Sequence, residues 1–249
     1  MIKFNPEDIV YRFFAENTDS EEFTLDESES RHCARVLRKK SGDEILVTNG
    51  KGMCVRAGIL SVRSKAVDLR RIEVVEQREP DEIQIWIAFA PTKNSKRYEW
   101  MLEKATEAGA NGFVPLFCDH RERDKLNFRR CRDILLSAVK QSERLFLPEI
   151  TDWMKVEQAS AYFEEKGAVC QFLTAQDAGE HMTNLAPVSG LQVAYIGPEG
   201  DFSKGELALM HQKGFKYVNL GAHRLRTETA GLVATVFLSG TRYIKQRTV

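Results

Sequence analysis

The stretch Leu191-Gln-Val-Ala-Tyr-Ile-Gly-Pro-Glu-Gly-Asp-Phe-Ser-Lys-Gly-Glu206 decides the fold class. Leu191 to Ile196 is a short apolar run of the kind that a sheet buries on both faces. Gly197 to Gly200 breaks the run, and Ser203-Lys-Gly-Glu206 then has the spacing of a capping box ahead of Leu207 and Met210, with Gly214 as the stop. A strand that turns directly into a helix is the unit of a parallel α/β sheet, and the pattern recurs on either side. Upstream, Ile83-Gln-Ile-Trp-Ile-Ala-Phe89 reads as a buried strand, and Tyr98, Met101, Leu102, Ala105 and Ala108 fall at helical spacing until Gly109. Phe113-Val-Pro-Leu-Phe117 is the next strand. Ile134, Leu135, Ala138 and Leu145 mark a helix ending before Pro148, and Val169 to Leu173 is another inner strand. Downstream, Tyr217-Val-Asn-Leu220 is the last strand, and Leu232, Val233, Val236 and Phe237 form one stripe of a C-terminal helix.

The beginning of the chain reads differently. Ile45-Leu-Val-Thr48, the turn signal Asn49-Gly50, Met53 to Leu60 and Val67 to Val75 are short and β-like, without helical periodicity. Arg78-Glu-Pro-Asp81 is polar and contains a proline, as linkers do. The expected organisation is a small β-rich domain over 1–75 and an α/β domain over 76–249.

Composition narrows the class of protein. The 249 residues are 43% hydrophobic and 29% charged, with 16 Gly and 7 Pro, which excludes collagenous, disordered and low-complexity chains. No stretch approaches the roughly 18 apolar residues of a membrane span, and Met1-Ile-Lys-Phe-Asn-Pro6 lacks the apolar core of a signal peptide. The expectation is a soluble, cytoplasmic protein without a membrane partner. Cys33, Cys54, Cys118, Cys131 and Cys170 form no C-x-x-C pair, and the histidines show no H-x-x-x-H spacing, so the cysteines read as reduced and buried and no metal is expected.

The zero net charge conceals an uneven distribution. Residues 1–30 carry two basic and nine acidic side chains, whereas 31–71 carry eleven basic and three acidic, and a second basic stretch lies at 121–132. Two basic segments in a neutral chain suit a polyanion, because phosphate contacts supply most nucleic-acid affinity; a solvated charged surface fits the same pattern.

Two strand-to-helix junctions hold unusual chemistry. In Ile196-Gly-Pro-Glu-Gly-Asp-Phe-Ser203 the glycines permit close approach of a ligand to the backbone, and the helix start offers free N–H groups. The loop matches neither G-x-G-x-x-G nor G-x-x-x-x-G-K-[ST], so no ATP or dinucleotide site is indicated. In Leu220-Gly-Ala-His-Arg-Leu-Arg-Thr-Glu-Thr-Ala230, two threonines, two arginines and a glutamate crowd one turn, where a cap needs a single threonine. This is either a salt-bridged cap or a site in which Arg226 and Glu228 face a polar cleft.

Together, Gly197-Pro-Glu-Gly200 and Leu225-Arg-Thr-Glu-Thr-Ala230 resemble the loops of the bacterial 16S ribosomal RNA uridine N3-methyltransferases of the SPOUT superfamily. The likeness extends to Lys96-Arg97 with Glu103 to Gly109 and Val114-Pro-Leu116. It also includes Ala138-Val-Lys-Gln-Ser-Glu-Arg-Leu-Phe-Leu-Pro148 and His32-Cys-Ala-Arg-Val-Leu-Arg38, so five ordered blocks span 31–230. The resemblance implies a PUA-like β-barrel, an α/β domain with a deep trefoil knot, and a homodimer with sites at the subunit interface. It also implies S-adenosylmethionine as cofactor and 16S rRNA of the small ribosomal subunit as partner. Carried onto this chain, the cofactor pocket involves Leu173, Thr174, Ile196, Gly197, Glu199, Gly200, Leu220, Gly221, Leu225, Arg226 and Thr227. RNA would be met by Arg35, Arg38, Arg97, Gln141 and Arg144, with Arg121 and Arg123 as weaker additions. Removal of the N3 proton needs a general base or a cation that stabilises the uridine anion, and Arg226, Glu199 and Glu228 are the catalytic candidates. Arg226 is preferred because it needs no shift of its pKa.

The chain departs from the family pattern at Asp201, where Gly is common, and at Ala222-His223, where Pro-Arg is common. Gly231 lies inside the last helix, at a cost of about 1 kcal/mol relative to Ala unless close packing requires it. Competing readings are another SPOUT RNA methyltransferase, a non-catalytic RNA-binding factor in ribosome assembly, and a metabolic α/β enzyme holding a phosphate at Gly197 to Ser203.

Overall fold

A computed structural model describes residues 11–175, 177, 179–185 and 188–246, with the side chains of 241–246 excepted. The opening Met1–Pro6 lies outside the described residues. The chain divides into two compact units, one formed by residues up to Pro80 together with Val139–Leu147, the other by Asp81–Ala138 with Pro148 onward.

The first unit contains β1 (Arg12–Phe14), β2 (Glu22–Leu25), α1 (Glu27–Arg31), one π-helical turn (His32–Val36), β3 (Glu44–Thr48), β4 (Met53–Val62) and β5 (Val67–Gln77). Its strands pair in the order β1-β3-β4-β5-β2, with β1 parallel to β3 and every other pair antiparallel. Alternation along the strands sends Ile45, Val47, Val55, Ala57, Ile59, Val67 and Leu69 into a core shared with Phe13, Phe23, Leu25 and Cys33. The Asn49-Gly50 signal is realised as a four-residue loop. Asn49 Oδ1 accepts from the N–H groups of Lys51 (2.8 Å) and Met53 (3.1 Å), and Gly50 and Gly52 take φ of +67° and +104°. β5 runs to Gln77, past the boundary expected at residue 75.

Residues 139–147, expected within the second domain, pack with the first unit. Gly52 N–H donates to Leu145 O (3.0 Å), Leu147 N–H donates to Gly50 O (2.8 Å), and Lys51 and Phe146 form an antiparallel bridge. The pairing joins residues about a hundred positions apart, which local periodicity cannot encode.

The second unit contains β6 (Ile83–Phe89), α2 (Ser95–Glu107), β7 (Gly112–Pro115), α3 (Phe128–Gln141, whose last turn belongs to the first unit), β8 (Glu149–Ile150) and α4 (Val156–Glu165). It continues with β9 (Ala168–Thr174), β10 (Gly190–Ile196), α5 (Lys204–Gln212), β11 (Lys216–Val218) and α6 (Thr227–Gln246). All six strands are parallel, in the order β11-β9-β10-β6-β7-β8. The α/β reading therefore holds, with the two-residue β8 as an additional strand. One face of the sheet, with Trp86, Ala88, Val193 and Tyr195, packs on Phe163 of α4 and Met210 of α5.

On the opposite face, α2 and α6 pack against each other, and α6 packs on β6 and β10. Gly231 of α6 sits at this contact: a Cβ there would lie 2.3 Å from Met101 Sδ and 3.8 Å from Ile87 Cγ2. Close packing thus accounts for a glycine inside a 20-residue helix. Because Met101 is fully buried, it cannot swing into solvent. Overpacking costs about 1–3 kcal/mol and the gain in helix propensity returns about 1 kcal/mol, so Gly231→Ala should lower stability by about 1 kcal/mol in urea unfolding. A stabilised variant would contradict this account.

All five cysteines are free thiols in the interior, as the odd count suggested. Burial pushes each thiol up, Cys131 to about 11. Among the described residues no helix is long and apolar enough to cross a membrane.

Candidate active site

The two unusual junctions meet at the carboxyl ends of β9, β10 and β11. After Ile196 the chain makes a tight turn in which Asp201 N–H donates to Pro198 O (3.0 Å). Asp201 adopts the left-handed conformation, φ +64°, and its carboxylate accepts from Phe202 N–H (2.8 Å). That conformation explains why glycine suits the position and why aspartate, which bonds its neighbouring backbone, can replace it. The fold thereby accommodates the departure at Asp201. Buried Phe202 ends the loop, and Ser203 and Glu206 form the expected capping box.

The second junction is held from two sides. Asn219 N–H donates to Glu180 O (2.8 Å) and Asn219 O accepts from Met182 N–H (3.0 Å), which pins the end of β11 to the loop after β9. Thr227 begins α6 and donates its hydroxyl to Gly197 O (3.2 Å), tying the second junction to the first. Thr174 Oγ1 donates to Tyr195 O (3.0 Å) and fixes the mouth of β9 on β10.

Between these loops lies a cavity of about 770 Å³. Of the residues assigned to a cofactor pocket, Thr174, Ile196, Gly197, Glu199, Leu220, Leu225, Arg226 and Thr227 line it. Three do not. Leu173 belongs to the core beneath the sheet, since strand alternation turns it from its neighbour Thr174. Gly200 lies against His120, and Gly221, at φ +145°, supplies a turn with open space around it. Ala175, Asp177, Pro198, Asp201, His223, Arg224 and Ala230 also line the cavity and were not assigned to it. They neighbour assigned residues, and the only signal for any of them was the departure from family pattern at Asp201 and His223.

Charge in the cavity is organised by Arg97, from the first turn of α2. Its Nη1 donates to Glu199 Oε1 (2.8 Å) and its Nε lies 3.8 Å from Glu228 Oε1. Arg97, expected as an RNA contact near the active site, sits between two candidate carboxylates. Glu228 is buried, and its Oε2 has no hydrogen-bond partner among the described residues. Arg224 Nη2 donates to Glu199 O (3.3 Å). Arg226 is exposed, lines the cavity and has no side-chain hydrogen bond or ion pair among the described residues.

The other assigned arginines divide by environment. Arg35 and Arg38 are exposed on and after the π-helical turn, with Arg38 left-handed at φ +53°. Arg121 is held by Asp124 (2.7 Å) and stacks 3.6 Å from the Phe117 ring centre. Arg123 donates to the carbonyls of Thr92 (3.2 Å) and Lys93 (2.5 Å). Arg121 fastens its own loop and Arg123 ties that loop to the one after β6, structural tasks their basic character did not reveal. Exposed Gln141 and half-buried Arg144 belong to the first unit.

A parallel sheet whose strand ends enclose a cavity built from two glycine-bearing loops defines a class, the α/β proteins that bind a ligand where neighbouring connections diverge. Within that class the chain belongs to the RNA methyltransferase family: the RNA methyltransferase domain model matches residues 79–239, and the RNA methyltransferase PUA domain model matches 25–70. A relative from Mycobacterium bovis, called ribosomal RNA small subunit methyltransferase E, is 30% identical over 84% of this chain and 83% of its own. The crystal structure of a probable rRNA-methyltransferase from Porphyromonas gingivalis is 32% identical, with TM-score 0.85, covering 95% of this chain and 100% of that one. The same fold occurs in a ribosomal RNA small subunit methyltransferase E from Neisseria gonorrhoeae, solved with S-adenosyl methionine (23% identity, TM-score 0.80, 93% and 97% covered).

Proposed function

We propose that this chain is a cytoplasmic enzyme that methylates N3 of a uridine in 16S rRNA of the small ribosomal subunit, with S-adenosylmethionine as methyl donor. The observation that carries the chemical assignment is the contrast between Arg226, a cation without a partner among the described residues, and the two carboxylates that share Arg97.

The cavity suits the cofactor. Its size falls in the range of small-molecule sites, Ile196, Leu220, Leu225 and Ala230 offer apolar walls, and Glu199, Asp177 and Asp201 supply negative charge for a sulfonium and an ammonium group. Ile196, Gly197, Leu220, Leu225 and Thr227 would hold it. When bound, the cofactor supplies a methyl group already activated by sulfonium, so the protein's task is to orient uridine N3 and manage its proton. Arg226 stabilises the uridine anion as N3 gives its proton to solvent water. Glu199 and Glu228 are already engaged by Arg97, Glu199 through a hydrogen bond of 2.8 Å. Arg97 therefore holds the carboxylates in place.

Arg35 and Arg38, exposed on the first unit, meet RNA together with Gln141 and Arg144. A homodimer is supported by the exposed Trp100 on α2 and Val236 on α6, apolar side chains on two helices that pack together. The loop after β9 grips Asn219 on both sides just before the chain returns to Gly197 through Thr227, an arrangement that supports a trefoil knot.

The test is methyl transfer from labelled S-adenosylmethionine to small-subunit particles lacking the modification, followed by nucleoside mass spectrometry. N3-methyluridine is the expected product. A methylated ribose or another methylated base would replace the uridine N3 assignment, and absence of both transfer and cofactor binding would leave an RNA-binding protein.

A further inference from the structure

The first unit is completed by residues 139–147, and this segment is locked to it by charge as well as by backbone pairing. Glu29 of α1 is buried at 4% exposure. Its Oε2 accepts from Phe14 N–H (3.0 Å) and its Oε1 from Lys140 Nζ, the residue directly before Gln141. At the other side of the segment's turn, Arg12 Nη1 donates to Glu143 O (2.7 Å), with Glu143 in the left-handed conformation at φ +58°. Gln141 lies between these two fastenings and Arg144 directly follows the second.

We propose that the RNA-recognition element of this protein is composite, formed by residues up to 80 together with 139–147, and that Glu29 and Arg12 are positioning residues that set Gln141 and Arg144 for RNA. The inference rests on the proposed role of Gln141 and Arg144 in meeting RNA. A carboxylate nine-tenths buried must be paired, so Glu29 fixes where Lys140 can be, and through it where the segment begins. Arg35, Arg38, Gln141 and Arg144 then belong to one compact unit, separate from the cofactor cavity of the other. RNA affinity and cofactor affinity should therefore respond to different substitutions.

The experiment uses the full chain. Glu29→Gln and Lys140→Met are compared with wild type for affinity to in vitro transcribed 16S rRNA, affinity for S-adenosylmethionine and midpoint of thermal unfolding, with Lys140→Arg as the conservative variant. Expected is a loss of RNA affinity of about tenfold in the first two, as for a lost charged hydrogen bond, with cofactor affinity within about twofold of wild type and RNA affinity kept in Lys140→Arg. Unchanged RNA affinity, even with a lowered unfolding midpoint, would overturn the proposal, as would parallel loss of RNA and cofactor affinity or no RNA binding by wild type. Should Glu29→Gln not fold, Arg12→Ala releases the opposite fastening and is judged by the same criteria. Wild-type methyl transfer is followed in the same preparations: RNA binding without N3-methyluridine would remove the proposed reaction, while the affinities still decide the positioning role.

Discussion

Arg226→Ala should reduce methyl transfer by about a hundredfold, the scale seen when a single preorganised donor to a developing anion is removed. The side chain is exposed, lines the cavity and is unpaired among the described residues, so its loss breaks no native ion pair and strands no buried charge. The unfolding midpoint should therefore stay close to that of wild type, and cofactor affinity should fall far less than turnover. Arg226→Lys, which keeps the charge but not the planar fork, should lie between. A turnover near wild type in Arg226→Ala would transfer the role to Glu228 or Glu199. In that event Arg97→Ala would be informative, because it removes the cation that holds both carboxylates in place.

The second large effect is on stability. Gly52→Ala should destabilise the first unit by about 3 kcal/mol, combining an L residue in a left-handed conformation with overpacking of a fixed neighbour. Gly52 has φ +104°, and a Cβ there would lie 2.4 Å from Arg78 O and 2.7 Å from Phe146 Cζ. Neither neighbour yields easily. Arg78 is itself held by donating its N–H to Gly52 O (2.9 Å), and Phe146 belongs to the segment that Gly52 anchors through Leu145 O. Gly42 provides the control, since it has φ +91° with open space around it, and Gly42→Ala should carry the conformational cost alone. Urea unfolding of both variants separates the two contributions. If Gly52→Ala costs no more than Gly42→Ala, the steric part of the argument fails.

Much of the second unit could be read from local pattern. Ile83 to Phe89, Val169 to Leu173 and Leu191 to Ile196 all became inner strands, because an inner strand covered by helices leaves a largely apolar run, with Val169 at the start of β9 exposed. The capping box at Ser203 and Glu206 formed as its spacing demanded. In the first unit the β3–β4 hairpin was legible from Asn49-Gly50, whereas β1 and β2 were not. These strands have three and four residues and lie at the sheet edges, too short for alternation to emerge from an acidic stretch.

The candidate site was legible as two loops but not as a charge network. Gly197 to Gly200 and Leu225 to Ala230 stood out as candidate ligand loops, since glycines, caps and clustered charge within a few residues are local features. The sequence singled out Arg226 and ranked Arg121 and Arg123 below the other RNA contacts, but it did not show what each arginine is bonded to. Arg121, Arg123, Arg97 and Arg226 are alike as letters, yet two fasten a loop, one holds carboxylates and one is free to meet a ligand.

By itself, then, the sequence determined the alternation of strands and helices and the two glycine-bearing junctions, both set by contacts between residues close in the chain. Only the tertiary structure decided that Arg97 meets Glu199, 102 positions away, and that Glu29 meets Lys140, 111 positions away. It also decided that Gly231 must remain without a side chain beneath Met101. Such pairings depend on which surfaces the folded sheet and helices bring together, and backbone periodicity records only which side of an element is buried, not which distant residue will meet it there.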